Sequence, residues 1–158
     1  MHNSINKEKI LPSIIDRIVD ESRQTVEYDY SNRILFKNNI RRDLENLFNT
    51  RYRIIEIPEH FDHLDKSILN YGLPDLATVN MLDLKRREEF CRGIEKTISY
   101  FEPRFNTVNV KYIENNDMSD RTLRFRIEAT LHADPLPEKI IFDSILEPVS
   151  NSVSIEEA

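Results

Sequence analysis

The chain has 158 residues, 39% of them hydrophobic and 32% charged, with a formal net charge of −6. That composition describes one domain with a core of its own; it excludes a disordered chain, and no apolar run nears the ~20 residues a bilayer crossing needs. The acidic balance works against gripping a phosphate backbone, the single cysteine excludes an intramolecular disulfide framework, and the only two glycines, Gly72 and Gly93, are too few for a phosphate-binding loop.

The opening MHNSINKEKI lacks the long apolar stretch of a secretory signal, so the cytoplasm is the expected location and residues 1–9 are expected to be a flexible lead-in. From residue 10 the spacing turns helical. Ile10, Leu11, Ile14, Ile15, Ile18 and Val19 fall on one face, and Pro12 suits a first turn. A polar connection follows. Residues 31–49 predict a second helix, striped by Ile40, Leu44, Leu47 and Phe48, with Ser31 or Asn32 able to cap it. Residues 50–80 read mostly as loop, broken by Pro58 and Pro74, with room for a short helix near 62–69. Residues 81–101 predict the longest helix, with Phe90, Ile94, Ile98 and Phe101 on one face; Gly93 in its interior suggests close packing.

After Pro103 the period changes from helical to alternating. Residues 107–113, 123–131 and 139–146 predict three strands joined by turns rich in Asn, Asp and Pro. In the second, Leu123, Phe125, Ile127, Ala129 and Leu131 point one way while Arg124, Arg126, Glu128 and Thr130 point the other, as in an antiparallel strand with one wet face. The polar residues 149–158 predict a frayed tail. The expected fold is α+β: N-terminal helices packed on a small C-terminal antiparallel meander, a single domain over residues 10–148.

Catalytic signatures are weak. Glu102 and Glu128 are the nominal pair for a glycosidase, yet nothing in their spacing marks them among 28 acidic residues. His60 and His63, near Asp62 and Asp65, have a spacing that suits a shared metal on a helix, but no third ligand is marked and no metal site is assigned. Cys91 borders an apolar stripe with no histidine base placed beside it, which predicts a buried, inert thiol. The pattern favours binding over catalysis.

Two stretches are unusual. NYGLPDL (70–76) sets apolar residues around a glycine and a proline; Gly72 suits a positive φ, Pro74 pushes Leu73 out of helical geometry, and Tyr71, Leu73 and Leu76 can pin the loop to the core. FEPRF (101–105) ends the long helix. Pro103 stops it, Phe101 and Phe105 can anchor on either side, and Glu102 and Arg104 are held about the proline. On the residues alone, a solvated charge pair at a helix end and a charged hook for a partner both remain open.

IRRDLENLFNTR (40–51), SILNYGLPDL (67–76), ISYFEPRF (98–105) and the closing RFRIEATL and FDSILEP segments together resemble the baseplate wedge subunits of type VI secretion systems, the TssE type, related to the small "lysozyme-like" wedge protein of contractile phage tails. The resemblance spans roughly residues 8–148 and implies a structural component, not an enzyme, with no cofactor. It implies a cytoplasmic baseplate docked at the inner-membrane complex of a Gram-negative bacterium. The implied neighbours are wedge subunits of the TssF, TssG and TssK types and sheath subunits of the TssB and TssC types, with no nucleic acid and no membrane insertion. Glu102, Pro103 and Arg104 match the family's Glu-Pro-Arg motif, whose implied role is docking on the wedge core bundle. The loop residues Tyr71, Gly72, Leu73, Pro74 and Asp75 are candidates for the same interface. On this reading Arg104→Ala detaches the subunit from the wedge and leaves the fold intact, and one edge of the 107–146 sheet receives sheath strands. A peptidoglycan-cleaving hydrolase and a small regulatory adaptor are the alternatives.

Overall fold

A computed structural model describes residues 13, 18, 33–51, 63–64, 67–74, 84–115, 120, 122–132, 137–147, 150 and 152–158. Two helices, α1 (Arg33–Asn49) and α2 (Leu84–Phe101), precede four strands: β1 (Phe105–Ile113), β2 (Leu123–Leu131), β3 (Glu138–Glu147) and β4 (Ser152–Glu157). The strands pair in chain order, each antiparallel to the next. α1 packs against β4 and α2 against β1, so a helix lies along each edge strand of the sheet. The α+β class and the meander are as the sequence predicts.

Periodicity explains the core. The α1 stripe Ile40, Leu44, Leu47 and Phe48 is buried, as are all five inward residues of β2. Phe125 from β2 meets Phe48 and Phe90 edge-to-face, with ring centroids 5.8 and 6.1 Å apart, the geometry that aromatic quadrupoles favour. Cys91, Ile94 and Ile98 face inward from α2. Burial, and then the nearby Glu95 carboxylate, push the Cys91 thiol above its ordinary range, which fits an inert side chain. The outer face carries ion pairs: Arg126 grips Asp143 at 2.7 and 2.9 Å, and Lys111 reaches Glu128 at 2.8 and 2.9 Å.

Three expectations change. Residues 152–157 form a fourth strand rather than part of a frayed tail. Val153 and Ile155 alternate with Ser152, Ser154 and Glu156, and both are buried at 4% and 1% exposure. Two buried aliphatic side chains contribute about 1.5–3 kcal/mol each, enough to seat a short strand. The domain therefore runs past residue 148, and the β3 edge of the 107–146 sheet is already taken by the chain itself. Ile18, expected on a core-facing stripe, is 78% exposed. Residues 1–9, and the remainder of the 10–19 helix apart from Ser13, lie outside the described residues.

Gly93 is the third. A Cβ added there meets nothing within 4 Å among the described residues, so none of them is packed closely against it. Gly93→Ala is expected to stabilise the protein by about 1 kcal/mol, through helix propensity alone. The urea midpoint should rise; a fall would show a contact at this position.

Candidate functional site

The FEPRF corner is tied down at every residue but the proline. Glu102 N–H still donates to Ile98 C=O at 2.8 Å, the last helical bond of α2. Phe105 N–H then donates to Glu102 C=O at 3.2 Å, closing a turn with Pro103 at its second position, where a fixed φ is favoured. Arg104 C=O accepts from His132 N–H at 3.0 Å, which joins the turn to the end of β2. Phe105 is buried, Phe101 half-buried, and Pro103 exposed.

Side chains make the corner a buried charge cluster. Glu102 is 4% exposed. Arg104 clasps it through Nε and Nη2 and reaches Asp43 Oδ2 of α1 at 2.6 Å. Ser13 Oγ donates to Asp43 Oδ1 at 3.0 Å, and Arg42 approaches that same oxygen at 3.7 Å. The Arg104 guanidinium also lies over the Phe36 ring, 5.8 Å from its centroid. Burial works against the Arg104 charge, but the hydrogen bonds and charges of Glu102 and Asp43 outweigh it and push its pKa upward. Arg104 Nη1 is buried and finds no hydrogen-bond partner among the described residues.

Sequence reasoning placed Glu102 and Arg104 together but left them to a partner. The structure gives Arg104 two carboxylates of its own chain, so the expectation that Arg104→Ala leaves the fold intact is replaced by one of marked destabilisation. Asp43, Ser13 and Phe36 were missed as members of the cluster. Asp43 stands 61 positions from Arg104, and no local spacing links them.

The NYGLPDL loop lies beside this corner. Tyr71 stacks edge-to-face on Phe101 with centroids 5.2 Å apart. Gly72 has φ of +120°, as its surroundings in the sequence suggest. Leu73, 1% exposed, donates its N–H to Thr50 C=O at 2.9 Å and bridges to Arg51. Gly72 and Leu73 are buried and shape the loop from within, Pro74 is half-buried, and Asp75 and Leu76 lie outside the described residues.

Burial, followed by the Asp43 and Glu102 charges, raises the Tyr71 pKa above its ordinary value. The folded chain keeps this proton where the unfolded chain loses it. The resulting stability is full below about pH 10 and is lost as pH rises through the folded value. Tyr71→Phe is therefore expected to make the alkaline decline in urea midpoint shallower; an unchanged decline would contradict the assignment.

Of the nominal hydrolase pair, Glu102 is committed to Arg104, while Glu128 sits on the outer face with Lys111. Of the H-x-x-H pair, His60 lies outside the described residues. No helix among the described residues is long and apolar enough to cross a membrane.

A helix lies along each edge strand of the four-stranded sheet, and a buried charge cluster ties the corner after α2 to α1. A family model described as baseplate wedge protein gp25 matches residues 36–136, well over half of the chain, and the protein belongs to this family. The match takes in α1 from Phe36 onward, the NYGLPDL loop, α2, the FEPRF corner, β1 and β2. The family is a structural one, and membership implies assembly with other baseplate proteins. A comparison with curated proteins finds no match.

Proposed function

We propose that the chain is the baseplate wedge subunit of a type VI secretion system, the TssE type, and that it docks on the core bundle of its fellow wedge subunits through Glu102, Pro103 and Arg104. On this reading it works in the cytoplasm, at a baseplate seated on the inner-membrane complex, and helps to start the contractile sheath. The observation that supports docking is the state of Arg104. Two of its nitrogens are used within the chain, and the third is buried with no hydrogen-bond partner among the described residues, next in sequence to an exposed proline. An orphaned guanidinium N–H costs about 1–3 kcal/mol, which a carbonyl or carboxylate from a neighbouring chain recovers. The internal carboxylates then serve as positioning groups: they fix the plane of the guanidinium so that Nη1 is aimed before the partner arrives.

The test is a paired pull-down from the source bacterium with wild-type protein and Arg104→Lys as baits. Lysine keeps the positive charge for Glu102 and Asp43 but lacks the planar fork. Wild type is expected to capture wedge and sheath subunits, and the lysine variant to remain folded by circular dichroism while losing the wedge subunits. Equal capture by both baits would remove Arg104 from the interface.

A further inference from the structure

α2 buries one face and turns the opposite one outward. Cys91, Ile94 and Ile98 point into the core. At 3.6 residues per turn the far side falls on Arg86, Glu89, Gly93, Lys96 and Tyr100, and all five are exposed. Their steps of three, four, three and four residues are those of a seam along which a second helix can lie.

Gly93 is the middle of this seam. A glycine weakens a helix interior, and a Cβ added here meets no atom of the described residues within 4 Å. None of those residues makes use of the missing side chain. A second helix does: over a glycine its backbone can come closer than the roughly 8–10 Å usual between packed helices.

The same face carries an excess of positive charge. Lys85, Arg86, Arg92 and Lys96 are exposed on α2 against Glu88 and Glu89, in a chain whose net charge is −6. Arg87 is taken up by the Tyr112 ring, 4.8 Å from its centroid, and Glu95 by Val110 N–H. Glu88 reaches Arg92 at 3.4 Å with both side chains largely exposed, and an ion pair so open to water yields readily to another carboxylate. Near the C-terminal end of the helix, Lys96 Nζ lies 5.5 Å from the centroid of the exposed Tyr100 ring. A tyrosine offers a large contact area at little cost in entropy, as interface anchors do.

We propose that the outward face of α2, crossed at Gly93, is the docking surface for an acidic helix of another protein. Two features choose the occupant. The cations call for carboxylates, and a second copy of this chain would bring the same cations against them. The glycine calls for a close backbone, whereas a nucleic acid or an anionic membrane engages lysines and arginines without one. The seam uses neither the sheet edges nor the buried Glu102–Arg104 pair, so the proposal stands independently of docking at that corner.

The probe is an amidated peptide of about 20 residues, built of Ala and Glu with the glutamates flanking an alanine seam, long enough to be helical. Titrated into the full 15N-labelled chain, it is expected to shift the Gly93 amide; Gly72, the other glycine, is the internal reference and stays in place. Gly93→Gln fills the seam with a helix-favouring side chain, and Arg92→Glu with Lys96→Glu reverses the charge. Each is expected to remain folded by circular dichroism and to bind the peptide about 10-fold more weakly. If Gly93→Gln does not fold, Gly93→Ala is read in the same way. No shift at Gly93 up to millimolar peptide, or wild-type affinity in either variant, overturns the proposal. Tighter binding of duplex DNA or phosphatidylserine vesicles than of the peptide, unchanged in Gly93→Gln, would make the face a general anion surface and overturn the acidic helix. Self-association of the chain that Gly93→Gln abolishes would make the occupant a second copy and overturn it as well.

Discussion

Arg104→Ala is expected to lower the stability of the isolated protein by about 3–5 kcal/mol, the usual cost of removing one partner from a buried ion pair. Glu102 is the reason. Its side chain is 5% exposed, and Arg104 is the cation that clasps it. Asp43 loses its 2.6 Å partner in the same step and retains Ser13 Oγ and the more distant Arg42. A loss of that size is a large share of the 5–15 kcal/mol that holds a typical domain together. Urea unfolding measures it directly. An Arg104→Ala midpoint equal to that of wild type would mean that the guanidinium contributes nothing inside the chain. Arg104→Lys should lose much less, because a cation remains between the two carboxylates. The difference between the two variants separates the internal role of the charge from the role of the fork, and only the fork is assigned to docking.

Gly72→Ala should be comparably severe for a steric reason. A Cβ at this position sits 2.3 Å from Thr50 O and 2.7 Å from Thr50 C, both backbone atoms with little freedom to retreat. The φ of +120° lies in a region that residues with a Cβ rarely enter. Backbone strain and overpacking together are expected to cost ~2–6 kcal/mol. The chain relieves them only by giving up the Leu73-to-Thr50 hydrogen bond and the bridge to Arg51, which withdraws Leu73 from the core. Tyr71 then loses its seat on Phe101. Thermal unfolding of Gly72→Ala tests this, and a melting temperature within a degree or two of wild type would refute it.

Local pattern carried most of the architecture into view. The α1 stripe and the alternation of β2 predict the buried residues they turn out to contain, because each element is long enough for its period to show. β4 was not legible. It offers two apolar residues in six, flanked by serines and glutamates, and its seat is made by residues of α1 about 100 positions away: Val153 lies 104 positions from Asn49, and Ile155 lies 110 from Glu45. The corner shows the same division. Its proline, flanking aromatics and adjacent charges are visible in five letters. That Arg104 closes on Asp43 depends on how the fold brings α1 beside the corner that follows α2, which no spacing encodes.

The most direct test of the docking claim is a cryo-electron microscopy map of isolated baseplates that contain this subunit, read at residues 101–105. The account predicts a neighbouring wedge chain packed on Pro103, with a carbonyl or carboxylate within hydrogen-bonding distance of Arg104 Nη1 and the Glu102 and Asp43 bonds retained. A map in which this corner faces solvent, with the subunit held by other surfaces, would contradict it.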